Sequence, residues 1–98
     1  MASIHQVMKA LSDNTRRDIL SLLRKQGRLS AGDISACFNM TQATVSHHLS
    51  LLTEAELITS EKKGKYIYFE INTTVVQELL AYIMNLFNVK GDDSNEGN

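Results

Sequence analysis

The sequence contains no proline and only five glycines. Proline stops or kinks helices, and glycine lets a chain turn at positive φ, so their scarcity favours continuous helices joined by short turns. A single cysteine, Cys37, excludes an intramolecular disulfide and any multi-thiolate metal site within one chain. No apolar run approaches the roughly 20 residues of a membrane span. The opening residues, MASIHQVMKAL, lack the basic segment and apolar block of a secretory signal. No stable membrane insertion is expected, and the expected location is cytoplasmic.

Neither sign of charge dominates. The formal net charge is −1, which by itself argues weakly against a nucleic-acid partner. Its distribution matters more. Residues 90–98 hold one lysine against Asp92, Asp93 and Glu96, so the rest of the chain carries nine basic and eight acidic residues. The local basic cluster is Lys62, Lys63 and Lys65. A DNA-binding surface needs a basic patch, not a basic protein, and so small a patch predicts modest non-specific affinity.

What is present fits one small globular domain over residues 1–89, followed by an acidic tail over 90–98 that has almost no apolar residues and is expected to be disordered. Ile4, Val7, Met8 and Leu11 fall at i, i+3, i+4 and i+7, the spacing of a short amphipathic helix. Asp13 is a suitable N-cap for a second helix from Asn14, with Ile19, Leu20, Leu22 and Leu23 on its core face and Gly27 as its stop. Ser30-Ala31-Gly32-Asp33 matches the Ser-x-x-Asp start of a third, short helix, with Ile34, Cys37 and Phe38 facing the core. Asn39 is expected to take a left-handed turn, and Met40 to plug the corner.

Thr41 then caps a fourth helix, TQATVSHHLSLLTEA, around which the chain is organised. Val45, Leu49 and Leu52 make its apolar stripe. Gln42, Ala43, Ser46, His47 and Ser50 fall on the other side, which is short, uncharged and rich in hydrogen-bonding groups. A solvated face usually carries Lys, Glu and Arg; small polar groups instead suit close approach to base edges. Two helices joined by a short turn, the second with such a face, make a helix-turn-helix, although any tight helical corner has the same spacing.

After Leu57 the period changes. Leu57 to Glu61 and Tyr66 to Ile71 read as two strands around Lys62-Lys63-Gly64-Lys65, a hairpin whose lysine-rich tip would reach phosphates as a wing. Alone, such a tip is equally a solubilising device. Asn72-Thr73-Thr74 is expected to cap a last helix, with Gln77 completing a Thr74-x-x-Gln77 box. Its apolar residues cover more than one stripe, and a terminal helix of so small a domain cannot bury two faces on its own body. An interface is therefore expected. A two-fold homodimer would pair this helix and the first with their twins through Ile4, Val7, Met8, Leu79, Tyr82, Ile83, Leu86 and Phe87.

The fold class is thus mostly α with a small β-hairpin, in the order ααααββα: a dimeric winged helix-turn-helix. Among side chains, Gln42, Ser46 and His47 are the candidate base readers. Thr44 would touch a phosphate or a thymine methyl, or support the first turn. His48 lies nearer the apolar stripe and would pack or contact a phosphate. Lys62, Lys63 and Lys65 would hold phosphates; Arg16 and Arg17 would reach the backbone, and Arg16 would equally form a structural ion pair. Cys37 reads as a small core residue, and Tyr66 and Tyr68 as hairpin packing.

The segments ALSDNTRRDILSLL at 10–23, TQATVSHHLSLLTEAELI at 41–58 and KGKYIYFEI at 63–71 resemble the ArsR family of winged-helix repressors, most of all its metal-independent, SdpR-like branch. The resemblance implies a homodimer that binds a palindromic double-stranded DNA operator, represses transcription (its own operon included) and is released by a signal from a small molecule or a protein. Two positions depart from the family pattern: Asn14 stands where Pro is frequent, and Glu56 where Gly is common. Either Glu56 is left-handed, at a strain of about 1 kcal/mol or slightly more, or the helix ends differently. Family metal sites use paired cysteines on the third helix or Asp, His and Glu on the last; here those segments offer only Cys37 and only Glu78. No metal and no other cofactor is expected. An enzyme is not expected either, since no nucleophile–base or paired-carboxylate arrangement stands out. The rival expectation is a winged-helix protein-interaction module without specific DNA binding.

Overall fold

The computed structural model describes residues 2–89; the acidic tail at 90–98 lies outside them. Five helices and three strands follow one another as α1 Ile4–Leu11, α2 Asn14–Gln26, β1 Leu29–Ser30, α3 Ala31–Ala36, α4 Gln42–Glu54, β2 Ile58–Lys63, β3 Tyr66–Ile71 and α5 Thr73–Leu86. Side-chain caps set most of the helix starts. Ser3 Oγ accepts from the Gln6 N–H at 3.1 Å while Gln6 Oε1 accepts from the Ser3 N–H at 3.0 Å, a reciprocal Ser-x-x-Gln box that the apolar spacing of α1 does not announce. Asp13 caps α2, Ser30 and Asp33 cap α3 reciprocally, and Thr41 caps α4. Gly27 ends α2 at φ 80°, a conformation that suits a residue without Cβ.

The core gathers Ile19 and Leu23 of α2, Ile34 of α3, Val45, Leu49 and Leu52 of α4, then Leu57, Ile58 and Phe69, all buried. The i, i+4, i+7 stripe of α4 is therefore its buried side. The sheet has the order β1-β3-β2, antiparallel throughout.

The structure corrects several expectations. The sheet has a third strand: Leu29 and Ser30 pair with Phe69 and Tyr68. Two residues are too few to show a period-2 pattern, so nothing local announces them. Strand β2 begins at Ile58, not Leu57, and runs to Lys63, because its pairing continues from Ile58↔Ile71 to Lys63↔Tyr66. The turn is thus only Gly64-Lys65, with Gly64 at φ 63°. Of the expected cap stretch Asn72-Thr73-Thr74, Asn72 is the cap of α5, its Oδ1 accepting from the Val75 N–H at 3.3 Å, and Thr74 lies inside the helix. Asn39 is not left-handed. Instead the Cys37 and Phe38 N–H groups donate to Ile34 and Ser35 carbonyls at 3.0 and 3.2 Å, and this tighter winding ends α3. Cys37 is exposed, not in the core, with Sγ–H donating to the Asp33 carbonyl.

Glu56 is left-handed, at φ 62°. The Leu57 N–H donates to the Leu52 carbonyl at 3.1 Å and the Glu56 N–H to the Thr53 carbonyl at 2.9 Å, the two bonds that close a helix on a left-handed residue. Leu52 and Leu57, both buried, provide the apolar contact that accompanies this stop. Helix α5 ends in the same way on Asn88, at φ 58°. No residue of α5 is fully buried.

Candidate nucleic-acid interface

Helices α3 and α4 meet at the corner 37–41 and form the helix-turn-helix. With Val45, Leu49 and Leu52 turned inward, Gln42, Ala43, Thr44, Ser46, His47 and Ser50 are all exposed. The structure so brings the candidate readers Gln42, Ser46 and His47 together on the outer side of one helix. At its N-terminus, Thr41 Oγ1 accepts from the Thr44 N–H at 3.1 Å and donates to Thr44 Oγ1 at 2.9 Å. The Thr44 hydroxyl hydrogen is then left to donate outward, as a phosphate contact requires.

His48 does not join this face. Its side chain is 13% exposed and points back toward the α1–α2 corner. There Arg16 Nη1 lies 3.2 Å from His48 Nδ1, and Asp13 Oδ2 lies 3.9 Å from the same atom. Periodicity left His48 between the two faces; packing against a residue 32 positions away decides it. The backbone N–H of Arg16, with the nearby guanidinium charge, holds the Asp13 carboxyl below the usual carboxylate range.

Of the two arginines at the start of α2, Arg16 is buried and Arg17 is exposed, and both bond back to the end of α1. Arg16 is 8% exposed, and its Nε and Nη2 donate to the Ala10 and Lys9 carbonyls at 2.8 and 3.0 Å. Arg17 Nη1 donates to the Leu11 carbonyl at 2.6 Å. Both guanidiniums therefore donate to carbonyls in the last turn of α1. For Arg16 these bonds replace the backbone contact or ion pair expected from sequence.

All three wing lysines are exposed, but they do not form one tip. Lys62 and Lys63 lie on β2 opposite Ile67 and Tyr66, and successive strand residues point to opposite faces. Only Lys65 sits in the turn. One further cation was missed: Arg28, just before β1, pairs with Glu61 of β2 and lies 5.3 Å over the Tyr68 ring. This contact lowers the Glu61 carboxyl and raises the Arg28 guanidinium. It depends on the β1–β3 pairing, so it carries no local signal. Tyr66 and Tyr68 rings sit 6.4 Å apart on the hairpin.

On α1 and α5, Ile4, Met8, Tyr82, Leu86 and Phe87 are exposed, the last two at 64% and 72%, and Leu79 and Ile83 are half-buried. Val7 is corrected: at 5% exposure it belongs to the core, because α1 turns it toward the body. A groove of about 230 Å³ runs between α1 and α5, lined by Ile4, Val7, Ala55, Val75, Leu79 and Tyr82 among others. Among the described residues no group of three or more His, Cys, Asp or Glu could hold a metal ion, and no helix is long and apolar enough to cross a membrane.

Residues 13–60 match the family profile described as bacterial regulatory protein, arsR family. Over 90 residues the chain is 47% identical to the transcriptional repressor SdpR of Bacillus subtilis, covering 92% of this chain and 98% of that protein. An arsenical resistance operon repressor of the same organism is 36% identical over 88 residues, 89% of this chain and 84% of that one. The homodimeric winged helix-turn-helix DNA-binding domain of a Mycobacterium bovis protein superposes with a TM-score of 0.69 at 27% identity, covering 97% of this chain and 83% of that one.

Proposed function

Since the chain belongs to the arsR family of bacterial regulatory proteins, we propose that it is a transcriptional repressor that binds a palindromic DNA operator as a homodimer. The observation that carries this reading is the outer face of α4: an uncharged set of amide, hydroxyl and imidazole groups, exposed on a helix whose other side is locked into the core. Gln42 offers the bidentate pattern that fits adenine, and Ser46 and His47 reach neighbouring base edges. Thr44 and the wing lysines meet phosphates, which position the reader without specifying sequence.

The dimer follows from α5. Its exposed apolar side, continued by Ile4 and Met8 of α1, pairs with a second copy. A two-fold axis there sets both α4 helices toward successive major grooves, about 34–36 Å apart. The protein acts in the cytoplasm, catalyses no reaction and needs no metal.

The test is selection from a randomised duplex pool, followed by titration of the enriched duplex at several salt concentrations. Replacing Lys62, Lys63 and Lys65 by Ala weakens binding to all sequences alike and flattens the salt dependence, by about 0.9 in the logarithmic slope for each phosphate left without its lysine. Failure to enrich any sequence would favour a protein-interaction module instead. An unchanged slope would remove the wing lysines from the DNA surface.

A further inference from the structure

We infer that His48 is a positioning residue which, through Arg16, ties the reading helix α4 to the end of α1. This rests on the reading of α4 as the DNA reader. The Arg16 guanidinium is almost fully enclosed, and each of its three nitrogens has a partner: Nε the Ala10 carbonyl, Nη2 the Lys9 carbonyl and Nη1 the His48 Nδ1. A guanidinium is always protonated and only donates. Nδ1 of His48 must therefore accept, which places the proton of the neutral ring on Nε2. The neighbouring carboxylate, Asp13, accepts the Arg16 backbone N–H at 3.1 Å, and the His47 ring lies 6.3 Å away toward the exposed side.

The consequence is a link between two jobs. Helix α1 presents Ile4 and Met8 on the apolar side of the molecule. One buried cation grips the last carbonyls of that helix and, with its remaining arm, the middle of α4. The angle of the reading face to the pairing face is then fixed by a hydrogen bond at position 48, and not by the apolar stripe alone. Removing the acceptor leaves a buried guanidinium N–H unsatisfied and lets α4 shift on its stripe. His48 need not touch DNA for its loss to weaken binding.

Two variants and one spectrum test this, with a duplex selected by the wild-type protein as probe. His48→Leu fills the volume without an acceptor. His48→Asn places Oδ1 where Nδ1 was. We expect H48L to remain dimeric by sedimentation and to lose about tenfold in affinity, while H48N stays within about threefold of wild type. Wild-type affinity for H48L overturns the proposal. So does an equal loss in both variants, which would mean that the imidazole itself meets DNA.

Should H48L fail to fold, ¹⁵N spectra of the wild-type imidazole decide: a proton on Nε2 and a bare Nδ1 support the link, and a proton on Nδ1 overturns it. The Ser46→Ala/His47→Ala double variant separates the two readings. If it binds as wild type does, α4 is not the reader, whatever the spectrum shows at His48.

Discussion

Helices α4 and α5 are nearly equal in length, 13 and 14 residues, and both stop on a left-handed residue closed by the same pair of backbone bonds. They differ in what they leave uncovered. Helix α4 buries Val45, Leu49 and Leu52 and shows Gln42, Ser46, His47 and Ser50. Helix α5 buries no residue completely and shows Leu80, Tyr82, Leu86 and Phe87. The free side of α4 is polar and uncharged, and in the proposed reading it exchanges its water for base edges. The free side of α5 gains roughly 1.5–3 kcal/mol for each large apolar side chain it manages to cover, before the costs of association. A helix's function is thus more legible in its uncovered side than in its buried one.

The largest effect that would break this contrast is in stability. Leu52→Ala, in the packed stripe of α4, should lower unfolding free energy by about 2–5 kcal/mol. Leu86→Ala should leave the unfolding of dilute monomer nearly unchanged. Equal losses in urea titrations would mean that α5 is as much part of the core as α4. Next in size is association: with Tyr82 and Leu86 both replaced by Glu, the dimer dissociation constant should rise about 100-fold or more, near 2.7 kcal/mol, read by sedimentation. A dimer of unchanged strength would move the interface off α5.

A smaller effect sharpens the likeness of the two helix stops. Glu56→Gly should relieve about 1 kcal/mol of backbone strain, since the L side chain is strained at positive φ, offset by whatever contact the Glu56 side chain makes. Asn88→Gly should change little, because Asn tolerates that region. Thermal melts compare the two. The smallest effect is acid dependence on the α4 side. Asp13 is held below its ordinary value in the folded chain, chiefly by the Arg16 N–H, so the folded state binds this proton less readily than the unfolded one. The corresponding stability is fully present above about pH 4 and is lost as pH falls through the lowered folded value. Asp13→Asn should flatten that part of the acid-unfolding curve; an unaltered curve would assign the slope to other carboxylates.

Much of the α4 side is legible in the sequence, because a stripe at i, i+4, i+7 and a Thr cap are local signals. The left-handed Glu56 is legible too, through the family's glycine at that place. What escapes depends on distant partners. The two-residue β1 exists only through Phe69 and Tyr68, and Arg28 finds Glu61 only once β1 is formed. His48 lies between the faces until Arg16 claims it. The lysines fall in the hairpin as expected, but pairing carries β2 through Lys63 and spreads them over both faces.

Ser30 belongs to two parts of the molecule at once. It pairs with Tyr68 in the sheet, while its Oγ accepts from the Asp33 N–H at 3.0 Å and starts α3. Wing and helix-turn-helix therefore meet in a single residue, and they approach a duplex as one body. Under the proposed DNA reading, once α4 is in its groove the wing needs no search of its own: its phosphates are already at high effective concentration. The second contact then adds residence time on the DNA more than it slows arrival.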